Sequence, residues 1–126
     1  MIRNKTHTAI ISLDEDNVLL VKVKDGVEVD KEELINLVET SLEIVEGNSF
    51  YLLVDARNIF SSIDHESRDH FAKHKEYNRL NIAQAIVVNN APTKLIANFY
   101  FRFYKHENPV KVFTDIDKGR KWLLTN

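Results

Sequence analysis

Short apolar runs alternate along this chain with longer stretches in which apolar residues recur every three or four positions. The pattern is clearest at the end. Residues 82–88 are an apolar run and residues 92–105 an aromatic-heavy helical pattern; 110–113 is apolar again, and 115–124 reads as a closing helix. Strands separated by helical crossovers pair in parallel within one sheet, so this region predicts an α/β fold.

Upstream, residues 8–13 and 18–24 are apolar runs joined by the polar link Asp14-Glu15-Asp16-Asn17, which predicts an antiparallel hairpin. Val18, Leu19, Leu20, Val21 and Val23 point to both sides of the second run. A strand apolar on both faces belongs in a sheet covered by helices on each side. Asp30 is placed to cap a helix, with Glu33 in the capping-box position. Leu34, Leu37, Val38, Leu42 and Val45 give that helix its apolar stripe, and Gly47-Asn48 ends it. Residues 50–54 form another fully apolar strand, closing at Asp55-Ala56-Arg57-Asn58. A polar loop, Ser61-Ser62-Ile63-Asp64, leads to a second helix over residues 65–80. Its stripe is thin (Phe71, Tyr77 and Leu80, with Ala72), which predicts the most exposed helix of the set.

Asn90 can cap the third helix, with Pro92 in a first turn where a missing N–H is harmless. Glu107-Asn108-Pro109 punctuates, and Thr114 or Asp115 caps the last helix. Gly119 inside that helix costs about 1 kcal/mol against alanine, and a small residue there lets the helix approach the sheet. The expected architecture is one α/β domain over residues 1–126: a five-stranded, mostly parallel mixed sheet with an antiparallel N-terminal strand and four helices.

Composition narrows the function classes. At 126 residues, 44% hydrophobic and 29% charged, the chain fits a single globular domain. A net charge of −2, with basic residues dispersed among acids, argues against nucleic-acid binding. Cysteine is absent, which excludes disulfides, thiolate catalysis and cysteine zinc sites. No signal peptide follows Met1, and no window approaches the ~20 apolar residues of a membrane span, so a cytoplasmic location is the default expectation.

Candidate chemistry gathers where strands end. Asp55, Arg57, Asn89, Asn90 and Asp115 all fall just past the carboxyl ends of predicted strands, the rim where ligands bind open parallel sheets. They read either as a polar pocket with an Asp/Arg pair or as helix caps and loop stabilisers. Ser61 and Ser62 precede a helix, where a phosphate would be electrostatically favoured and where simple capping is the plainer role. Glu66, His70 and His74 recur every four residues and could share a metal-binding face. No further ligand is indicated and the zinc-protease spacing is missing, so no metal or catalytic residue is assigned. Gly26, Gly47 and Gly119 are too scattered for a dinucleotide or phosphate loop, and no cofactor is expected. In the third helix, Leu95, Ile96, Phe99, Tyr100 and Phe103 fit one stripe, whereas Phe101 and Tyr104 lie off it. Core packing alone accounts for them, or else cover by another helix, a symmetric partner or an apolar ligand.

With these segments in order, residues 18–124 resemble the STAS / SpoIIAA-like superfamily, which includes CRAL-TRIO-type domains. The likeness rests on Leu53-Val54-Asp55 followed by the helix opening at Ile63-Asp64-His65-Glu66-Ser67-Arg68, on residues 83–89 leading into Ala97-Asn98-Phe99-Tyr100, and on Pro109-Val110-Lys111-Val112-Phe113 followed by a small residue before Trp122-Leu123. The last looks like the ending of small bacterial SpoIIAA-like proteins. Anti-sigma-factor antagonists of this superfamily carry a phosphorylatable serine in an Asp-Ser-Ser/Thr-Gly segment. Here Phe60-Ser61-Ser62-Ile63-Asp64 lacks both the Asp and the Gly, so the phosphosite is not carried over. The resemblance implies a non-catalytic regulatory or protein-interaction module, with a protein partner or self-association as a homodimer. A carrier of a small apolar or lipid-like ligand and an enzyme using Asp55, Arg57 and a second-helix histidine are the alternatives. Asp55, Arg57, Ser61, Ser62, Phe101 and Tyr104 are the candidate binding residues.

Overall fold

The computed structural model describes residues 2–5, 8–24, 31–57, 74–91, 94 and 108–126. Its elements are β1 (Ile2–Lys5), β2 (Ala9–Leu13), β3 (Val18–Val23), α1 (Lys31–Val45), β4 (Phe50–Asp55), α2 (Lys75–Leu80), β5 (Asn81–Val87), β6 (Val110–Phe113) and α3 (Ile116–Leu123). The described strands form one six-stranded sheet in the order β1-β2-β3-β4-β5-β6. β1–β2 and β2–β3 pair antiparallel, and β3 through β6 run parallel.

The α/β class and the mostly parallel mixed sheet are as expected, but the strand count is six rather than five. Ile2-Arg3-Asn4-Lys5 has too little apolar character to read as a strand. It holds its place as an edge, where one row of backbone bonds to β2 suffices and lysine is tolerated. Three helices are described, not four. The third predicted helix opens where expected, with Lys94 N donating to Asn90 O at 3.1 Å, but most of residues 92–105 lies outside the described residues.

The hairpin link is held by Asp14. Its carboxylate accepts from Asp16 N at 2.8 Å and Val18 N at 3.1 Å, and Asn17 takes the left-handed conformation at φ 61°. Asn tolerates that region better than most residues. At the end of α1, Glu46 (φ 50°) and Gly47 (φ 80°) turn the chain, and Gly47 supplies the second left-handed step without a Cβ penalty.

Two clusters bury the two faces of the sheet. On the first face, Leu34, Leu37, Val38, Ile44 and Val45 of α1 and Tyr77 and Leu80 of α2 pack on Ile11, Leu19, Val21, Phe50 and Leu52. On the second, Leu123, with Ile116 and Trp122 beside it, packs on Val18, Leu53, Ala83, Ala85 and Val87. Strands β3 to β6 add in sequence order in one direction, so right-handed crossovers carry α1 and α2 to the same face. The last helix is not a crossover and is free to cover the other.

Of the second expected helix, residues 75–80 are described as α2 and residues 65–73 lie outside the described residues. α2 starts after His74, an extended N-cap (φ −74°, ψ 104°) whose Nδ1 accepts from Tyr77 N at 3.2 Å. The four-residue spacing of Glu66, His70 and His74 therefore does not run through one helix into His74. Among the described helices α2 is the most exposed, as its thin stripe predicts; Tyr77 and Leu80 are its buried residues, and Tyr77 meets Phe50 edge-on with ring centroids 5.2 Å apart.

At α3, Asp115 is the cap, accepting from Asp117 N at 2.9 Å and Lys118 N at 3.2 Å. A Cβ added at Gly119 would meet Leu53 Cδ1 and Phe113 Cδ2 at 3.4 Å and Ala85 Cβ at 3.6 Å. That leaves room for a methyl group and little more. Gly119→Ala is expected to leave stability unchanged or raise it by up to about 1 kcal/mol, from helix propensity. Gly119→Val is expected to lower the Tm through overpacking. Thermal melts of the two variants check both, and an alanine variant that melts well below the wild type would show the packing to be closer than described.

Candidate functional site

The parallel register lines residues up in rows across the second face. One row near the carboxyl ends of the strands reads Ile10, Lys22, Asp55, Val87, Phe113; the row beneath it reads Ser12, Leu20, Leu53, Ala85, Lys111. Beyond the first row, Ala56 N donates to Val87 O at 2.9 Å and Val88 N to Phe113 O at 2.8 Å, which extends the ladder into the rim.

Asp55 and Arg57 meet there as a two-pronged pair. Arg57 Nε donates to Asp55 Oδ1 at 2.9 Å and Nη2 to Oδ2 at 2.8 Å, while Arg57 N also reaches Oδ1 at 3.3 Å. The carboxylate is sheltered at 5% side-chain exposure and the guanidinium lies outside it at 41%. Hydrogen bonding from Arg57 holds the Asp55 carboxyl below its usual range against the opposing effect of burial, and Lys22 adds a weaker pull in the same direction. Arg57 is in turn raised by Asp55, with a smaller contribution from Asp115. Both Asp55 oxygens are thus committed to one cation, an arrangement suited to orienting a guanidinium.

Three further rim residues take structural parts. Asp115 caps α3, and Asn89 and Asn90 are exposed and bonded to each other, Asn90 Nδ2 to Asn89 Oδ1 at 2.8 Å. His74 packs against Tyr77, which meets Phe50 edge-on at the opening of β4, whereas Asp55 closes that strand about 16 Å away at ~3.3 Å per residue. His74 is therefore not brought to the Asp55–Arg57 pair. Ser61, Ser62, Phe101 and Tyr104 lie outside the described residues, as do His65, Glu66 and His70. Among the described residues, no group of three His, Asp or Glu side chains could hold a metal ion, and no helix is long and apolar enough to cross a membrane.

One contributor was missed in the sequence. α3 starts beside β6 and packs on β4, β5 and β6, while its last turn reaches the β2–β3 link, where Arg120 Nη2 donates to Asp14 Oδ2 at 2.8 Å and Asp16 Oδ2 at 2.9 Å. Along that diagonal path α3 does not reach the corner of the second face at the carboxyl end of β3, and no other described element covers it. Lys22 is exposed there, and Ile10 and Leu20 are only half-buried. The signal was present: Lys22 is the one charge inside Val18-Leu19-Leu20-Val21-Lys22-Val23. The corner joins Asp55 and Arg57 directly, since Lys22 and Asp55 are register partners.

A family model, Domain of unknown function (DUF7793), matches residues 11–125. The chain belongs to the DUF7793 family. No curated protein matches it. Among solved structures, the DUF7793 chain is similar to an uncharacterized protein of the DUF3478 family with a SpoIIAA-like fold from Shewanella loihica PV-4. The two are 14% identical with a TM-score of 0.69, over 98% of this chain and 99% of the other. This DUF7793 chain accordingly has the SpoIIAA-like fold anticipated from its segments, and the likeness speaks to fold alone.

Proposed function

We propose that this DUF7793 chain is a non-catalytic interaction or regulatory module that docks a protein partner on the open corner formed by Ile10, Leu20, Lys22 and Arg57. The observation that carries this reading is a part of the second face that no described element covers, with Lys22 exposed on it, beside a sheltered Asp55 whose oxygens both hold Arg57. Strand order supports it. Ligand crevices in open α/β sheets form where the strand order reverses, and β3 to β6 add without a reversal. A surface of half-buried apolar residues edged by cations suits a macromolecular contact better than an enclosed small molecule. The SpoIIAA-like fold is in keeping with such a module.

The test is cross-linking and affinity capture from cells of the source organism, with wild type and an Ile10→Asp/Lys22→Glu double variant compared. The wild type is expected to retain a specific partner that the variant loses, with both melting within a few degrees of each other. Equal recovery of the same partner by both would remove this corner as the docking surface.

A further inference from the structure

We infer that the partner surface read by this corner is an acidic segment, with one carboxylate received by the outer edge of Arg57. This rests on the docking reading above and adds to it the chemistry of the partner. A guanidinium carries five N–H donors in a fixed plane. Nε and Nη2 each spend one on Asp55, at 2.9 and 2.8 Å. The remaining three, two on Nη1 and one on Nη2, have no partner among the described residues and point away from the sheltered carboxylate. Asp55, at 5% exposure, is a positioning residue: it fixes the plane of the fork so that its free edge faces outward.

The charges select the class of partner. Lys22 and Arg57 are cations beside the open corner, and Ile10 and Leu20 supply an apolar floor next to them. Asp55 is turned inward under Arg57, and the Asp115 carboxylate is engaged with the first turn of α3. Both carboxylates are thus engaged within the chain, which leaves Lys22 and Arg57 to meet a partner's negative charge, and the planar fork matches the two oxygens of a carboxylate. Glutamate or aspartate side chains flanked by apolar residues match both features: carboxylate to the fork, apolar neighbours to Ile10 and Leu20.

The experiment is an NMR titration of the whole chain, labelled with nitrogen-15, against three blocked peptides of alternating leucine and a variable residue: glutamate, glutamine or phosphoserine. With the glutamate peptide, the Arg57 Nε–H signal and the backbone amides of Lys22 and Ala56 are expected to shift saturably, with a Kd of roughly millimolar order. The glutamine peptide is expected to leave them in place. Arg57→Gln should abolish the shifts, and Lys22→Gln, which leaves the Asp55–Arg57 pair intact, should weaken binding several-fold. Absence of saturable shifts, equal shifts with glutamine, or no effect of Lys22→Gln would overturn the inference. So would binding of the phosphoserine peptide ten times more tightly than the glutamate one. Because no cellular partner is needed, these outcomes stand apart from success or failure of the capture experiment.

Discussion

Tyr77→Ala is expected to lower the free energy of unfolding by about 3–5 kcal/mol, the range for removing a large buried aromatic side chain. Tyr77 is 2% exposed and is the largest fully buried side chain described. It stands edge-on to Phe50, which is 0% exposed, at 5.2 Å and 74°. Truncation therefore loses the transfer energy of the ring and an aromatic pair, and leaves a hollow between α2 and β4. Chemical denaturation read by circular dichroism measures the change; a loss below about 1 kcal/mol would mean that α2 is not seated on the sheet as described.

Tyr77 also sets a pH dependence. Burial pushes its hydroxyl well above the ordinary value of 10.0. The folded protein thus keeps a proton that the unfolded chain releases above about pH 10. Unfolding is favoured in that range, and stability should fall with rising pH by up to about 1.4 kcal/mol per unit from this group. Tyr77→Phe removes the proton and is expected to flatten that part of the stability curve relative to wild type. Parallel curves for the two proteins between pH 9 and 11 would contradict the burial of the hydroxyl.

Legibility followed burial. The apolar runs that became β3, β4 and β5 are enclosed on both faces for most of their length, so their composition alone marks them. Asp115 was readable as a cap because its residue type and its place before an amphipathic run agree. α2 was not readable in the same way. Its N-cap is histidine, a type with little capping preference, and its seating depends on just two side chains, Tyr77 and Leu80, one turn apart. A two-residue stripe carries little periodic signal, yet on a six-residue helix it anchors the whole element. β1 escaped notice because edge pairing is a backbone matter and asks little of side chains. Within the candidate site, Asp55 and Arg57 could be placed at the rim from the strand boundary. Their two-pronged geometry, and the exposure of Lys22 beside them, depend on the diagonal path of α3, which follows from the Arg120 tie to Asp14 and Asp16 across 106 and 104 positions of sequence. No local pattern encodes a contact of that range.

Arg57→Ala is the variant expected to expose the energetics of the site most directly. It leaves the sheltered Asp55 carboxylate, 5% exposed, with Lys22 as its nearest cationic influence. A stranded carboxylate of this kind costs several kcal/mol when fully enclosed. Because Arg57 itself is 41% exposed, the native pair is partly screened and the expected loss is about 2 kcal/mol. The sign of the pH response should then reverse. In the wild type the Asp55 pKa lies below 3.8, so the pair stabilises above that value and its contribution is lost as pH falls through the folded pKa. Without Arg57 the main lowering influence is gone and burial raises the carboxyl instead, so acidification from neutral pH relieves the variant by letting Asp55 bind a proton. The stability gap between wild type and Arg57→Ala should narrow steadily from pH 7 towards pH 4. Asp55→Asn added to Arg57→Ala should recover part of the loss at pH 7, because a neutral amide tolerates burial better than an unpaired charge. Urea melts of the wild type, both single variants and the double variant form the cycle that isolates the coupling. Additive losses at neutral pH, with a gap that stays constant on acidification, would show that Asp55 and Arg57 do not act as a unit.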